Sequence, residues 1–418
     1  MRNVGRTSQT DVTIEAPPSK AHTLRALFLS ALADGESAIG NPLRGDDQRH
    51  AMDCLRALGA GVVQDGERIV VQGCRGRFEP VSGELNVGES GVSMNCLTAL
   101  ACLSTKPVVI TGAPRLIERP VGDLVGGLRQ LGCCIDWLGQ EGCPPVRVHG
   151  GGIPGGTTEM RGHVTSQYFS AILLAAPYAD RPVTLQCLGP MSEKPYVAIT
   201  LEMMARFGVA VAHRNFAEFT VPNERPYQAR AVEIEGDYSS ASFFFEAAAV
   251  CGNRVTVTGL DPGSVQGDRR FLDLLERMGC GVARMQDGWA VQGRKLAGID
   301  ADMADTPDLV PPMAVTAAFA EGTTRLTGIA HLSHKESDRP AVIASELRKM
   351  GVAASWDGSA LYITGGQPHG AWIDPHNDHR IAMSFAVAGL AVGDQIIENE
   401  ACVAKSFPDF WDRLGALY

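Results

Sequence analysis

Asp308 opens an Ala-rich apolar segment, and 27 residues later a dense ionic pentad, Lys335-Glu336-Ser337-Asp338-Arg339, opens a second helical segment. A lone carboxylate and a mixed-charge cluster, each at the mouth of a helix, are costly to assemble without a use. They suit proton transfer, because two carboxylates in different environments can serve as acid and base. Further cations stand at other predicted helix starts: Lys20, Arg25, Arg119, Arg380 and Lys405. A helix start already offers unpaired N–H groups and a positive dipole end that bind phosphate or carboxylate. Cations there oppose the dipole, so their placement makes sense if anions sit between them. The expectation is an anion-selective site that carries its own acid–base pair.

The elements that must position these residues form a repeat. An amphipathic helix ending in a bulky residue and Gly, then a β-like run, recurs as LRALGAGV, LRQLGCCI, MMARFGVAV, LERMGCGV, LRKMGVAA and the shorter DRLGAL. The glycines fall at 59, 132, 208, 279, 351 and 415, with differences of 73, 76, 71, 72 and 64. One Gly past a helical turn is an ordinary left-handed stop; six at near-constant spacing make a repeat. Before each phrase lies an Ala-rich helix, apolar nearly all round, which belongs in a core. Short runs such as RIVVQG, PVVITG and RVTVTG read as strands. Six units of about 70 residues suggest two domains of three units each, with helices inside and sheets outside. Crossings are expected near Ser19–Lys20 and Glu235–Asp237. That gives a discontinuous domain of 1–19 plus 236–418 and a second of 20–235.

Composition narrows the class. The chain has 418 residues, 45% of them hydrophobic, and a net charge of -10. That charge disfavours nucleic-acid binding through a basic surface. Eleven cysteines without a CxxC pair suggest reduced thiols in a cytoplasmic protein. MRNVGRTSQT has no apolar signal core, and the apolar stretches are too short to span a bilayer.

Several residues have plainer readings. Thr165, Ser239 and Asp378 equally suit helix caps. Asp46, Asp47 and Arg49 suit a local cap and ion pair, and Lys194 a surface charge. His331/His334 and His376/His379 have an HxxH spacing, but no Cys or Glu completes a metal-ligand set.

The ordered series SKxxxxR, GxxG before an Ala-rich helix, ERP, TSQ, KPY, QGD, PD, KESDR, NDHR and AKSFPDF resembles the 5-enolpyruvylshikimate-3-phosphate synthase family of enolpyruvyl transferases over essentially the whole chain. Each motif is weak alone; their order is specific. The resemblance implies an α/β fold of two inverse, barrel-like α/β domains. Each would hold three βαβαββ repeats, with the active site in the cleft between domains. It implies transfer of the enolpyruvyl group of phosphoenolpyruvate to the 5-hydroxyl of shikimate 3-phosphate, through a tetrahedral ketal phosphate, with no metal or organic cofactor. It also implies small-molecule substrates only, no nucleic acid or membrane partner, and a monomer. Donor binding would fall to Lys20, Gly91, Arg119, Gln167, Arg339, Arg380 and Lys405. Acceptor binding would fall to Arg25, Thr165, Ser166, Gln167, Tyr196, Asp308 and Lys335. By the same resemblance Asp308 is the base toward the hydroxyl and Glu336 the proton donor to the methylene carbon. Lys20 assists proton transfer and phosphate departure.

Five positions depart from the family pattern: Ala21, Glu89, Asn95, Glu193 and His331. Glu193 stands where Ser usually precedes Lys-Pro-Tyr, and a carboxylate beside an acceptor phosphate costs Coulomb energy unless protonated or turned away. The departures keep open an alternative, transfer to a different phosphorylated alcohol. The UDP-N-acetylglucosamine transferases carry a Cys in the loop corresponding to Ala113–Glu118, which has none here. RNA 3'-phosphate cyclases would need a basic surface. A dead binding protein would not need both Asp308 and Glu336.

Overall fold

A computed structural model describes residues 1–8, 11–223 and 226–417. The chain divides into two compact units, unit 1 of Met1–Ser19 with Glu235–Tyr418 and unit 2 of Lys20–Ile234.

Unit 2 contains α1 (Lys20–Leu32), α2 (Asp46–Ala57), α3 (Gly91–Ala101), the single-turn α4 (Pro114–Ile117), α5 (Gly122–Gln130), α6 (Gln167–Ala175) and α7 (Lys194–Arg206). Unit 1 contains α8 (Tyr238–Cys251), α9 (Arg270–Met278), α10 (Val310–Ala318), α11 (Arg339–Lys349), α12 (His379–Val392) and α13 (Phe410–Gly415). The Ala-rich helices α1, α3, α6, α8, α10 and α12 are buried over nearly their whole surface. Small side chains let them approach one another, and α3 packs on α6 as α8 packs on α12. The amphipathic set buries one stripe only. In α9 that stripe is Phe271, Leu272, Leu274, Leu275 and Met278, the spacing of a helix with one face on a core. Helices are inside and sheets outside, as the sequence predicts.

The α/β class and the repetition show most clearly in the sheets. There are five sheets of four strands and one of three among the described residues, and none closes into a barrel. Each pairs one strand in parallel and another antiparallel. Gly156–Arg161 runs parallel to Val183–Leu188, which lies antiparallel to Glu218–Val221. A parallel pair requires a crossover, and α6 supplies it. The pairs across α3, α10 and α12 follow the same rule. Where the chain passes from one unit to the other, the last strand before the crossing stays in the sheet of the unit it leaves. Asp11–Glu15 precedes α1 yet pairs with Arg254–Thr258 in unit 1, while Ala231–Glu233 precedes α8 yet pairs with Glu36–Gly40 in unit 2.

Five of the six repeat glycines adopt positive φ, from +80° at Gly351 to +113° at Gly279. The sixth differs: Gly415 is the last residue of α13 and keeps an ordinary helical φ. The final copy is anchored instead by aromatic packing. Phe407 and Phe410 meet Phe244 and Phe243 edge-on at 5.9 and 6.1 Å between ring centres. These contacts pin to α8 the segment that carries Lys405.

One core residue is out of keeping. Glu246, on α8, is wholly buried, and its carboxyl oxygens make no well-formed hydrogen bond, with the Ser384 hydroxyl the nearby polar group. Burial pushes its pKa well above the ordinary value, with the Ser384 hydroxyl only partly opposing. The folded state therefore keeps the proton while the unfolded chain loses it near pH 4.5. The group's contribution is fully present below that pH and is lost as pH rises toward the folded-state value, at up to about 1.4 kcal/mol per pH unit. In denaturant titrations from pH 5 to 8, Glu246→Gln should gain on the natural protein as pH rises. A pH-independent difference would show that Glu246 ionises freely in the fold.

Candidate active site

In unit 1 three helix starts converge on one guanidinium. Asp308 lies in the 3₁₀ turn Pro307–Leu309 that feeds α10. Glu336 lies between the 3₁₀ segment Ala330–His334 and α11, and Arg339 is the first residue of α11. Asp378 caps α12, accepting from the backbone N–H of Arg380 at 3.0 Å. Arg339 is 1% exposed and donates through Nε to Asp378 at 2.9 Å, through Nη1 to Asp308 at 3.1 Å and through Nη2 to Glu336 at 3.2 Å. Two further cations extend the network, Arg380 to Asp308 and Lys405 to Glu336, both at 2.8 Å. The result is an alternating chain, Arg380–Asp308–Arg339–Glu336–Lys405.

The energetics follow from burial. Desolvation alone would lower the pKa of Arg339, but Asp378, Glu336 and Asp308 together outweigh it and push the pKa above its ordinary value. The cations of the chain are almost covered, whereas Asp308 and Glu336 keep 20% and 14% of their side-chain surface. The carboxylates are thus the reachable members of the network. Lys335 ends the 3₁₀ segment just before Glu336.

A third acid stands behind Asp308. Asp268, buried at the start of the turn before α9, accepts from the Ser239 hydroxyl. Burial and then the charge of Asp308 push its pKa up to about 7, against the pull of Ser239 and Arg380. QGD stands in the ordered motif series, which leaves its acid without a role. The available signal was position: Asp268, Leu272 and Leu275 share the buried stripe that α9 continues.

Unit 2 gathers the other expected residues. Lys20, the first residue of α1, pairs with Asp47 of α2 at 2.6 Å. Asp46 pairs locally with Arg49 at 3.0 Å, so the local reading fits one acid of that pair and not the other. Arg25 is buried in α1 and donates to three neutral acceptors: the Thr200 hydroxyl at 2.7 Å and the Tyr196 and Ala21 carbonyls at 2.9 and 3.1 Å. Burial pulls its pKa down, and nearby Cys96 and Tyr196 only partly oppose this. A buried cation with neutral partners favours an incoming anion.

Gly91 begins α3, and a Cβ there would come within 2.8 Å of the Arg119 guanidinium. The missing side chain is what lets that cation lie against the helix start. Gln167 begins α6 and accepts from Asn95 of α3 at 2.8 Å. Thr165 and Ser166 precede it, and the Thr165 hydroxyl also accepts from the Gln167 N–H at 3.3 Å. Glu193, at the start of α7, is not turned away: it is buried and accepts from Thr165 at 2.8 Å. Neither HxxH pair belongs to a three-ligand group. Among the described residues the one such grouping is Cys134, Asp136 and His149, which shares no member with the sites above.

Largely covered carboxylates locked among cations, and helix starts that carry buried cations, suit an enzyme for small anionic substrates. The family model described as EPSP synthase (3-phosphoshikimate 1-carboxyvinyltransferase) matches residues 5–414, and the chain belongs to that family. Relatives named 3-phosphoshikimate 1-carboxyvinyltransferase include that of Methanoculleus marisnigri, 47% identical over 98% of both chains. That of Methanosphaerula palustris is 47% identical over 97% of this chain and 96% of its own. A solved EPSP synthase from Acinetobacter baumannii superposes with a TM-score of 0.81 at 27% identity, covering 99% of this chain and 97% of that one. The chain is accordingly an enzyme, a transferase of the shikimate pathway. No helix among the described residues is long and apolar enough to cross a membrane.

Proposed function

We propose that the chain transfers the enolpyruvyl group of phosphoenolpyruvate to the 5-hydroxyl of shikimate 3-phosphate, giving 5-enolpyruvylshikimate 3-phosphate and phosphate. The observation that carries this reading is the alternating chain Arg380–Asp308–Arg339–Glu336–Lys405. It supplies two carboxylates with fixed cationic partners and exposed faces.

In the addition step Asp308 takes the proton of the acceptor hydroxyl, whose oxygen bonds to C2 of phosphoenolpyruvate. The C2–C3 double bond opens and C3 takes a proton from Glu336, leaving a tetrahedral ketal phosphate. In the elimination step a proton returns from the new methyl group to Glu336, the C2–C3 double bond re-forms as the C2–O bond to phosphate breaks, and the departing phosphate takes the hydroxyl's proton back from Asp308. Lys20 stabilises the departing phosphate. The donor is a multiply charged anion, so Arg119, Arg380 and Lys405 provide charge, while Gln167 and the backbone at Gly91 provide hydrogen bonds. Arg339 directs Nε, Nη1 and Nη2 at carboxylates, so its part is to hold Asp308 and Glu336 in place and lend charge to the donor site. Arg25, Thr165, Ser166, Tyr196 and Lys335 hold the acceptor, with Gln167 and Asp308 touching it as well. These steps call for no metal or organic cofactor. The reading takes the protein to be a cytoplasmic monomer, which sedimentation and fractionation address.

The deciding experiment measures phosphate release with phosphoenolpyruvate and shikimate 3-phosphate, beside a panel of other phosphorylated alcohols. Turnover confined to another alcohol in that panel would overturn the choice of acceptor.

A further inference from the structure

Glu193 is the residue before α7 and has φ 59° and ψ 30°. That is the left-handed region, which residues other than glycine enter at a cost. Its side chain is 1% exposed. One carboxylate oxygen, Oε2, accepts from the Thr165 hydroxyl at 2.8 Å, the Ser166 backbone N–H at 3.3 Å and the Ser166 hydroxyl at 3.4 Å. These donors stand at the start of α6, a nine-residue helix with no acidic residue in its first turn. Two hydroxyls and a backbone N–H at a positive helix end make a cradle for an oxyanion. The chain fills that cradle with its own carboxylate.

The proposed function gives Thr165 and Ser166 to the acceptor, and the inference rests on that reading. An acceptor phosphate would draw on the same donors, and one set of donors cannot serve both anions. Like charges brought together in a buried site repel strongly. We infer that Glu193 is a specificity-determining residue: its carboxylate occupies the oxyanion cradle of the acceptor site, and the acceptor's phosphate binds only by displacing it. The side chain sets a threshold that the acceptor must overcome, and it discriminates among acceptors by the strength of the group they bring. Donor binding draws on other residues and is independent of it.

The test is steady-state kinetics of phosphate release for the natural enzyme, Glu193→Ser and Glu193→Gln, with shikimate 3-phosphate and separately with unphosphorylated shikimate. Serine restores a hydroxyl and vacates the cradle. The expected result is a KM for shikimate 3-phosphate lower by about 10-fold or more in the serine variant, 1.4 kcal/mol per factor of ten. The KM for phosphoenolpyruvate stays within 2-fold, and the KM for shikimate improves far less than that for its phosphate. Glutamine, which keeps the shape and removes the charge, falls between. It decides the matter by itself if the serine variant does not fold. An unchanged or raised KM for shikimate 3-phosphate, with turnover intact, overturns the inference and leaves the proposed function standing. If neither the natural enzyme nor a folded variant turns over shikimate 3-phosphate, the proposed function falls and the inference with it.

Discussion

Glu336→Gln lowers kcat by about 10²–10⁴-fold, the usual worth of a positioned acid or base, and Asp308→Asn does the same. Both replacements keep the size of the side chain and one hydrogen-bonding oxygen. Glu336 sits between Arg339 and Lys405, at 3.2 and 2.8 Å, and Asp308 between Arg339 and Arg380, at 3.1 and 2.8 Å. The two cations bond different oxygens of each carboxylate, so the amide oxygen still accepts from one of them while the amide nitrogen loses the bond to the other, and the network is kept in part. What disappears is the capacity to give or take a proton. The split between constants is diagnostic. Removing a negative charge near the phosphoenolpyruvate site does not weaken an anionic donor, so its KM stays level or falls while kcat collapses. Activity within 10-fold of the natural enzyme in either variant would remove that residue from the proton-transfer steps.

Arg339→Met costs about 3–5 kcal/mol of stability, the range measured when one partner of a buried ion pair is removed. Asp378, Asp308 and Glu336 share this one buried guanidinium. Without it Asp378, which is fully buried, keeps only the Ser337 hydroxyl at 3.3 Å and the Arg380 N–H as neutral donors. For a unit of this size the melting temperature falls by about 2–4 °C per kcal/mol, hence by roughly 6–20 °C. Calorimetry measures the loss directly. Adding Asp378→Asn to the same chain should return part of it, because the double variant no longer buries an uncompensated charge. A melting temperature within 2 °C of the natural protein in the single variant would mean that the three carboxylates find other partners.

Much of this architecture is legible in the sequence because its signals are local. A Gly stop after an amphipathic helix is a property of a few neighbouring residues, so Gly59, Gly132, Gly208, Gly279 and Gly351 read correctly. Gly415 repeats the wording without the geometry, since it is still part of α13 and keeps a helical φ. The Ala-rich helices and the runs PVTLQC and TTRLTG are likewise local, and they form the crossovers and central strands. The pairings that make the site are not local. Lys405 reaches Glu336 across 69 residues, and Asn95 reaches Gln167 across 72. Composition and spacing place Lys405, Glu336 and Gln167 at helix starts but cannot say which partner each meets. Asp47 shows what a closer reading can extract. It sits on the stripe of α2 that continues through Ala51, Cys54 and Leu55, all buried. An acid on a buried stripe demands a cation, and Lys20 is the one it finds.

The enclosure of the six Ala-rich helices has a wider consequence. Covered on nearly every side, they offer no lateral surface on which a new preference could be written without opening a cavity or forcing the packing. Their first turns are different ground, edited at the expense of one contact and not of a core. Ala21 lies in the first turn of α1, Glu89 just before that of α3 and Glu193 just before α7, whereas Asn95 is the fifth residue of α3 and His331 lies in the 3₁₀ segment before α11. In a protein made this way much of what keeps it folded is kept apart from the helix mouths, where three of these five departures are written.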